Sequence, residues 1–187
     1  MDGLDITIRK LTAEDRSLPI DIDDTFTVNS TMVLSLKDNQ IGYTLREIPA
    51  YEKSYAAKDS EETGDMGSSE YIDHPDRAIY AAFASNRAIG QIVLKRNWNQ
   101  YAYVEDIKVD KQFRGHGVGR RLIEQAKLWA QGYGMPGIML ETQSNNVKAC
   151  RFYESCGFVI GGFDSYLYKG IHRQSDEIAL YWYLLFD

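Results

Sequence analysis

Arg114-Gly115-His116-Gly117-Val118-Gly119-Arg120-Arg121 holds three glycines and three arginines in eight positions. It follows a strand-like stretch, Tyr101 to Val109, and opens a helix-like one, Val118 to about Tyr133. A turn of this kind exposes helix N–H groups that have no intrahelical acceptor. With the positive end of the helix dipole, they form an anion site suited to a pyrophosphate. Gly115, Gly117 and Gly119 allow close backbone approach and dihedrals that a side chain forbids. Arg114, Arg120 and Arg121 add fixed positive charge. A P-loop is excluded, because Gly119 is not followed by Lys and Ser or Thr. The dinucleotide fingerprint is excluded by the glycine spacing.

A second segment carries chemistry-bearing residues. Gly137 to Thr142 reads as a short buried strand, and Asn145 to Phe158 as a helix with its caps. Asn145 or Asn146 suits the N-cap, and Gly157 the stop. Ala149, Phe152, Tyr153 and Cys156 recur at three- and four-residue spacing, so they share one face.

The elements that must position these residues come next. Asp5 to Lys10 reads as an opening strand, and Thr12-Ala13-Glu14-Asp15 as a capped helix start. Thr31 to Leu36 and Ile41 to Ile48 flank Lys37-Asp38-Asn39-Gln40, which predicts a hairpin ended by Pro49. Tyr51 to Asp76 is predicted to be a long acidic loop, with at most a turn of helix. Ala78 to Ala84 and Ala88 to Arg96 form a second hairpin around Ser85-Asn86-Arg87. Val159 to Tyr168 and Ile178 to Phe186 are expected to pair antiparallel. No repeat or linker divides the chain, so a single domain over 1–187 is expected, of mixed α/β (α+β) class.

A chain of 187 residues can bury a full core. No stretch approaches the ~20 apolar residues of a membrane span, and the acidic N-terminus lacks a signal-peptide core. A cytoplasmic protein without membrane contact is expected. The two cysteines, Cys150 and Cys156, fall on one short helix without metal-ligand spacing, and the three histidines are scattered. No metal site is expected. A net charge of −6 argues against nucleic acid as partner and is compatible with a small cationic substrate.

The pattern Arg114-x-x-Gly117-x-Gly119 resembles the acetyl-CoA pyrophosphate loop of the GNAT superfamily of N-acetyltransferases. Asn146-x-x-Ala149-x-x-Phe152-Tyr153-x-x-x-Gly157-Phe158 resembles its second cofactor motif, and the order of elements matches throughout. The resemblance implies the GNAT fold: a mostly antiparallel twisted sheet, splayed at the acetyl-CoA site, with flanking helices. It implies acetyl-CoA as co-substrate, held by Ile107, Lys108, Val109, Arg114, Gly115, His116, Gly117, Val118, Gly119, Arg120 and Asn146. Other stretches narrow it: Thr25-Phe26-Thr27, Gly42 to Pro49, the acidic loop, Val104 to Ile107, Gly161 to Tyr168 and Ala179-Leu180-Tyr181. These are similar to the streptothricin (nourseothricin) acetyltransferases, which acetylate an amine of the antibiotic's β-lysine arm and so inactivate it.

An amine acceptor is protonated at neutral pH, with a reference pKa near ~10.4, and must lose a proton before attack on the thioester. Glu105 and Asp106 precede the cofactor loop and are the candidate bases. Neighbouring strand residues face opposite ways, so at most one should face the reacting centre. Glu105, sharing the parity of Tyr103, Ile107 and Val109, is favoured unless a bulge reverses the choice. Backbone N–H groups of Ile107 to Val109 are candidate oxyanion donors. The resemblance makes Tyr153 the general acid for the departing thiolate. Trp98 and Glu141 are candidates for the acceptor pocket, an aromatic wall and a carboxylate for a cation. A protein lysine or a polyamine is the alternative acceptor, and a non-catalytic acyl-CoA sensor the alternative role. The sequence is compatible with a homodimer and does not fix the oligomeric state.

Overall fold

The computed structural model describes residues 5–55 and 68–187. They form two compact units interleaved along the chain. The first takes the described residues up to Thr25 and from Ser54 to Ile138, the second Phe26–Lys53 and Met139–Asp187. Of the acidic loop's residues, Asp59, Glu61, Glu62 and Asp65 lie outside the described part.

The first unit is built on strands β1 (Ile6–Lys10), β4 (Arg77–Ala84), β5 (Arg87–Arg96) and β6 (Ala102–Val109), adjacent in that order and antiparallel throughout. Ser85 and Asn86 both take positive φ, 49° and 67°, which closes the β4–β5 hairpin in two residues. Helix α2 (Val118–Gly132) buries Val118, Leu122, Ile123, Ala126, Trp129 and Ala130, one stripe at helical spacing. A Cβ at Gly90 of β5 would stand 3.1 Å from Val118 Cγ1, so glycine there lets α2 lie close to the sheet. The sheet's other face packs Ile79, Ala81, Phe83 and Val93 with Leu11, Leu18, Ile20 and Tyr71. Tyr71 closes a single helical turn, α1 (Ser68–Tyr71), at the end of the acidic segment.

The second unit holds β7 (Gly137–Gln143, whose first two residues belong to the first unit), β9 (Ala179–Leu185) and β8 (Val159–Asp164), adjacent in that order. It also holds α3 (Val147–Ser155) and a long hairpin, β2 (Phe26–Lys37) and β3 (Gln40–Lys53). The hairpin turns at Asp38 and Asn39, again both at positive φ. β8 and β9 pair antiparallel, as expected.

Two expected boundaries move. Pro49 does not end the hairpin: β3 runs on to Lys53. Val28 pairs with Tyr51 and Ser30 with Glu47, so Ile48, Pro49 and Ala50 stand opposite Asn29 alone. Proline, which has no N–H for the ladder, is accommodated in that bulge. The strand expected from Val159 to Tyr168 stops at Asp164. Its carboxylate accepts the N–H groups of Tyr166 (2.7 Å) and Leu167 (3.1 Å), which turns the chain into a short 3-10 segment, Leu167–Gly170.

Candidate active site

The glycine-rich loop leaves β6 through Asp110, a residue whose importance was not read from the sequence. Asp110 is buried and accepts from Gln112 N at 3.0 Å and from Arg87 at 2.6 Å, fixing where the loop begins. An aspartate directly after a strand and before a turn was the available signal. Gly115 and Gly117 sit at φ 81° and 78°. Gly117 is the N-cap of α2, and no side chain caps the helix there. Arg121 N–H is bonded to the Gly117 carbonyl at 3.1 Å, and the amides before it at the helix start have no intrahelical acceptor. The first turn carries no acidic residue. A Cβ at Gly115 or Gly117 would meet nothing within 4 Å, so the space beside both is open. These features fit an anionic group such as a pyrophosphate.

Gly119 departs from expectation: it is an ordinary residue of α2 and not among the glycines at positive φ. Arg114 departs as well. Its guanidinium bonds the carbonyls of Val109 (3.1 Å) and Thr25 (2.8 Å), bracing the end of β6, while His116 Nδ1 lies 3.1 Å from the Arg114 carbonyl. Val118 faces the core, and Arg120 follows in the first turn of α2.

Glu105 and Asp106 do not alternate. Leu94 pairs with Val104 and Val93 with Asp106, so β6 has one extra residue at Glu105, a β-bulge. Glu105 accepts from Tyr71 and pairs with Lys95, while Asp106 accepts from Gln91 Nε2 at 2.7 Å. Gln91 and Lys95 are four apart on β5 and share a face. The bulge therefore brings both carboxylates to the same face, and the expectation that at most one could serve there is corrected. Lys108 approaches Asp106 at 3.8 Å. Ile107, Lys108 and Val109 continue the ladder opposite Ile92, Gln91 and Gly90. Burial, and then the Glu105 carboxylate, push the Tyr71 hydroxyl up to about 12, so it stays a donor at neutral pH. Lys95 and Gln91 escaped the sequence reading because only the register with β5 identifies them, and Tyr71 because only its contact from α1 does.

In the second unit Asn146, not Asn145, caps α3: its Oδ1 accepts from Ala149 N at 3.2 Å. Asn145 is buried and donates to Tyr51 and Glu177, both at 2.9 Å. Asn146 lines a cavity of about 210 Å³ with Thr27, Asn29, Ser30, Lys148 and Arg151. α3 ends as expected: Gly157, at φ 92°, and Phe158 return N–H groups to the Glu154 and Tyr153 carbonyls. Tyr153 is buried among Phe152, Phe158 and Trp182, with ring centroids 5.4, 5.7 and 6.2 Å away. Cys150 is buried against Thr142, and burial pushes its thiol up to about 11, which leaves it unreactive.

The acceptor-pocket candidates fare differently. Glu141 is half-buried on β7 and accepts from Tyr168. Burial raises its pKa, the Tyr168 hydrogen bond opposes the rise, and Glu177 adds to it. Trp98 is 88% exposed in the turn before β6, which is not the setting of a pocket wall. Glu70 and Asp76, from the end of the acidic segment, are paired with Arg77 and Arg96 at 3.0 Å. Among the described residues no group of histidine, cysteine and carboxylate side chains could hold a metal ion, and no helix is long and apolar enough to cross a membrane.

Residues 44–158 match the model of the acetyltransferase (GNAT) family. A streptothricin acetyltransferase of Escherichia coli is 37% identical over 164 residues, 88% of this chain and 87% of that protein. A crystal structure of a candidate streptothricin acetyltransferase from Bacillus anthracis, in complex with acetyl coenzyme A, superposes with TM-score 0.88 at 53% identity over the whole of both chains. A nourseothricin acetyltransferase structure gives 0.76 at 26% identity, covering 96% of this chain and 98% of that one. The mixed α/β architecture, with its mostly antiparallel strands, is the one the motifs implied. The chain belongs to the acetyltransferase (GNAT) family and is an acetyl-CoA-dependent N-acetyltransferase.

Proposed function

We propose that this enzyme acetylates an amine on the β-lysine arm of streptothricin and thereby inactivates the antibiotic. Likeness to streptothricin acetyltransferases over most of the chain supports the substrate. The observation that carries the chemistry is the β6 bulge, which sets Glu105 and Asp106 on one face of the strand leading to the anion-suited loop. Two carboxylates there suit a polycationic acceptor and provide a base for its ammonium.

Acetyl-CoA supplies the activated acetyl group: the amine nitrogen bonds the carbonyl carbon as the C–S bond breaks. Pyrophosphate binding is assigned to the loop from Arg114 to Arg120, and pantetheine contact to Asn146. Glu105 is already compensated by Lys95 and Tyr71, whereas Asp106 meets a neutral amide and a more distant lysine. Asp106 therefore takes the proton of the reacting amine, and Glu105 holds positive charge nearby. This reverses the preference that strand parity gave. Tyr153 returns a proton to the departing thiolate sulfur. Turnover measured side by side on streptothricin, spermidine and a lysine-bearing peptide tests the assignment. Streptothricin should exceed the others in kcat/KM by orders of magnitude, and equal values would remove it.

A further inference from the structure

We propose that Gln91 is a positioning residue, which holds Asp106 oriented toward the acceptor amine. The inference rests on the reading of Asp106 as the group that takes the amine's proton. β5 is buried without a break from Ala88 to Leu94, and every position in that run except Gln91 is apolar or glycine. Gln91 is fully buried, and its Oε1 has no hydrogen-bond partner. A buried amide that satisfies only one end is costly, and an apolar side chain at this position would avoid the cost. What the glutamine provides is one bond, from Nε2 to Asp106 Oδ2 at 2.7 Å.

The bond sits in the regular stretch of the ladder beside the bulge. Asp106 pairs with Val93, diagonal to Gln91 on the same face, and the extra residue brings Glu105 to that face as well. The donor's chemistry suits the task. A neutral amide N–H fixes the carboxylate in place without cancelling its charge, whereas Lys95 compensates Glu105 directly. Gln91 and Lys108 both approach Oδ2, which leaves Oδ1 to the acceptor. The other charged or titratable groups around the pair are Glu105 on β6, Lys95 on β5, and Tyr71 on α1 with Arg77 over its ring.

The test is a double-mutant cycle of Gln91→Leu and Asp106→Asn, read as separate kcat and KM values for streptothricin, with acetyl-CoA affinity and urea stability measured alongside. Gln91→Met, closer in length, repeats the cycle should leucine disturb the core. Removing the donor should lower kcat about tenfold with KM nearly unchanged, the scale of coupling between contacting residues. Acetyl-CoA affinity should not change. In the Asp106→Asn background the Gln91 substitution should change activity by less than about twofold, since its route is gone. A loss confined to KM, or losses that multiply in the double mutant, would show that Gln91 only fills space and would overturn the inference while Asp106 keeps its role. Wild-type activity in Asp106→Asn would overturn both, and the single mutant alone reveals that case.

Discussion

Tyr71 donates its hydroxyl to the Glu105 carboxylate, tying the turn that ends the acidic segment to the bulge of β6. The hydroxyl's pKa is raised to about 12, by burial first and the carboxylate second. A tyrosine raised in the folded state contributes stability that is complete below its unfolded pKa, near ~10, and lost as pH rises through the folded value. Tyr71→Phe should therefore cost about 1–2 kcal/mol, uniformly from pH 6 to 9. Urea denaturation across that range checks it, and a cost that changes within the range would contradict the pairing.

Gly117 caps α2 at φ 78° with open space beside it. A Cβ there meets nothing within 4 Å, so the cost of valine lies in backbone strain and in occupying the space a pyrophosphate would enter. Acetyl-CoA should raise the Tm of the wild-type enzyme by mass action and leave Gly117→Val nearly unmoved. An equal shift in both would remove the pyrophosphate from this loop.

Tyr153 is packed on Phe152, Phe158 and Trp182 through its ring, and phenylalanine preserves those contacts. If the hydroxyl protonates the thiolate, Tyr153→Phe should lower kcat by ~10²–10⁴ with acetyl-CoA affinity intact. A kcat within twofold of wild type would leave Tyr153 a core aromatic only.

Glu141 has its pKa raised chiefly by burial, with Tyr168's hydrogen bond opposing the rise. The folded state then holds a proton that the unfolded chain releases near ~4.3. Stability from this group is fullest below that value and falls as pH rises through the raised pKa. Glu141→Gln removes the charge and keeps an acceptor for Tyr168. It should gain stability relative to wild type between pH 4 and pH 7, measured by urea denaturation at both. A relative loss over the same interval would contradict the sign.

The parts of the site that were legible in sequence are those fixed by local chemistry. Gly115 and Gly117 at positive φ, an asparagine cap at 145 or 146 and Gly157 as stop act within a few residues of themselves, so their spacing carries the information. The carboxylate pair was legible as residues and not as geometry. Its facing depends on where β6 slips against β5, and that slip is set by pairing with residues some 15 positions earlier, where Gln91 meets Asp106. Pro49 misled for the same reason, because a bulge in the hairpin register removes the need for its missing N–H. Arg114 read as a ligand for phosphate, yet its structural bonds go to the Val109 and Thr25 carbonyls, the latter far away in sequence.

The most direct measurement is mass spectrometry of streptothricin after incubation with the enzyme and acetyl-CoA, with fragmentation to locate the change. One added acetyl group on an amine of the β-lysine arm, with loss of antibacterial activity, is the expected result. Unmodified streptothricin, under conditions where the same preparation acetylates spermidine or a peptide lysine, would contradict the proposed substrate.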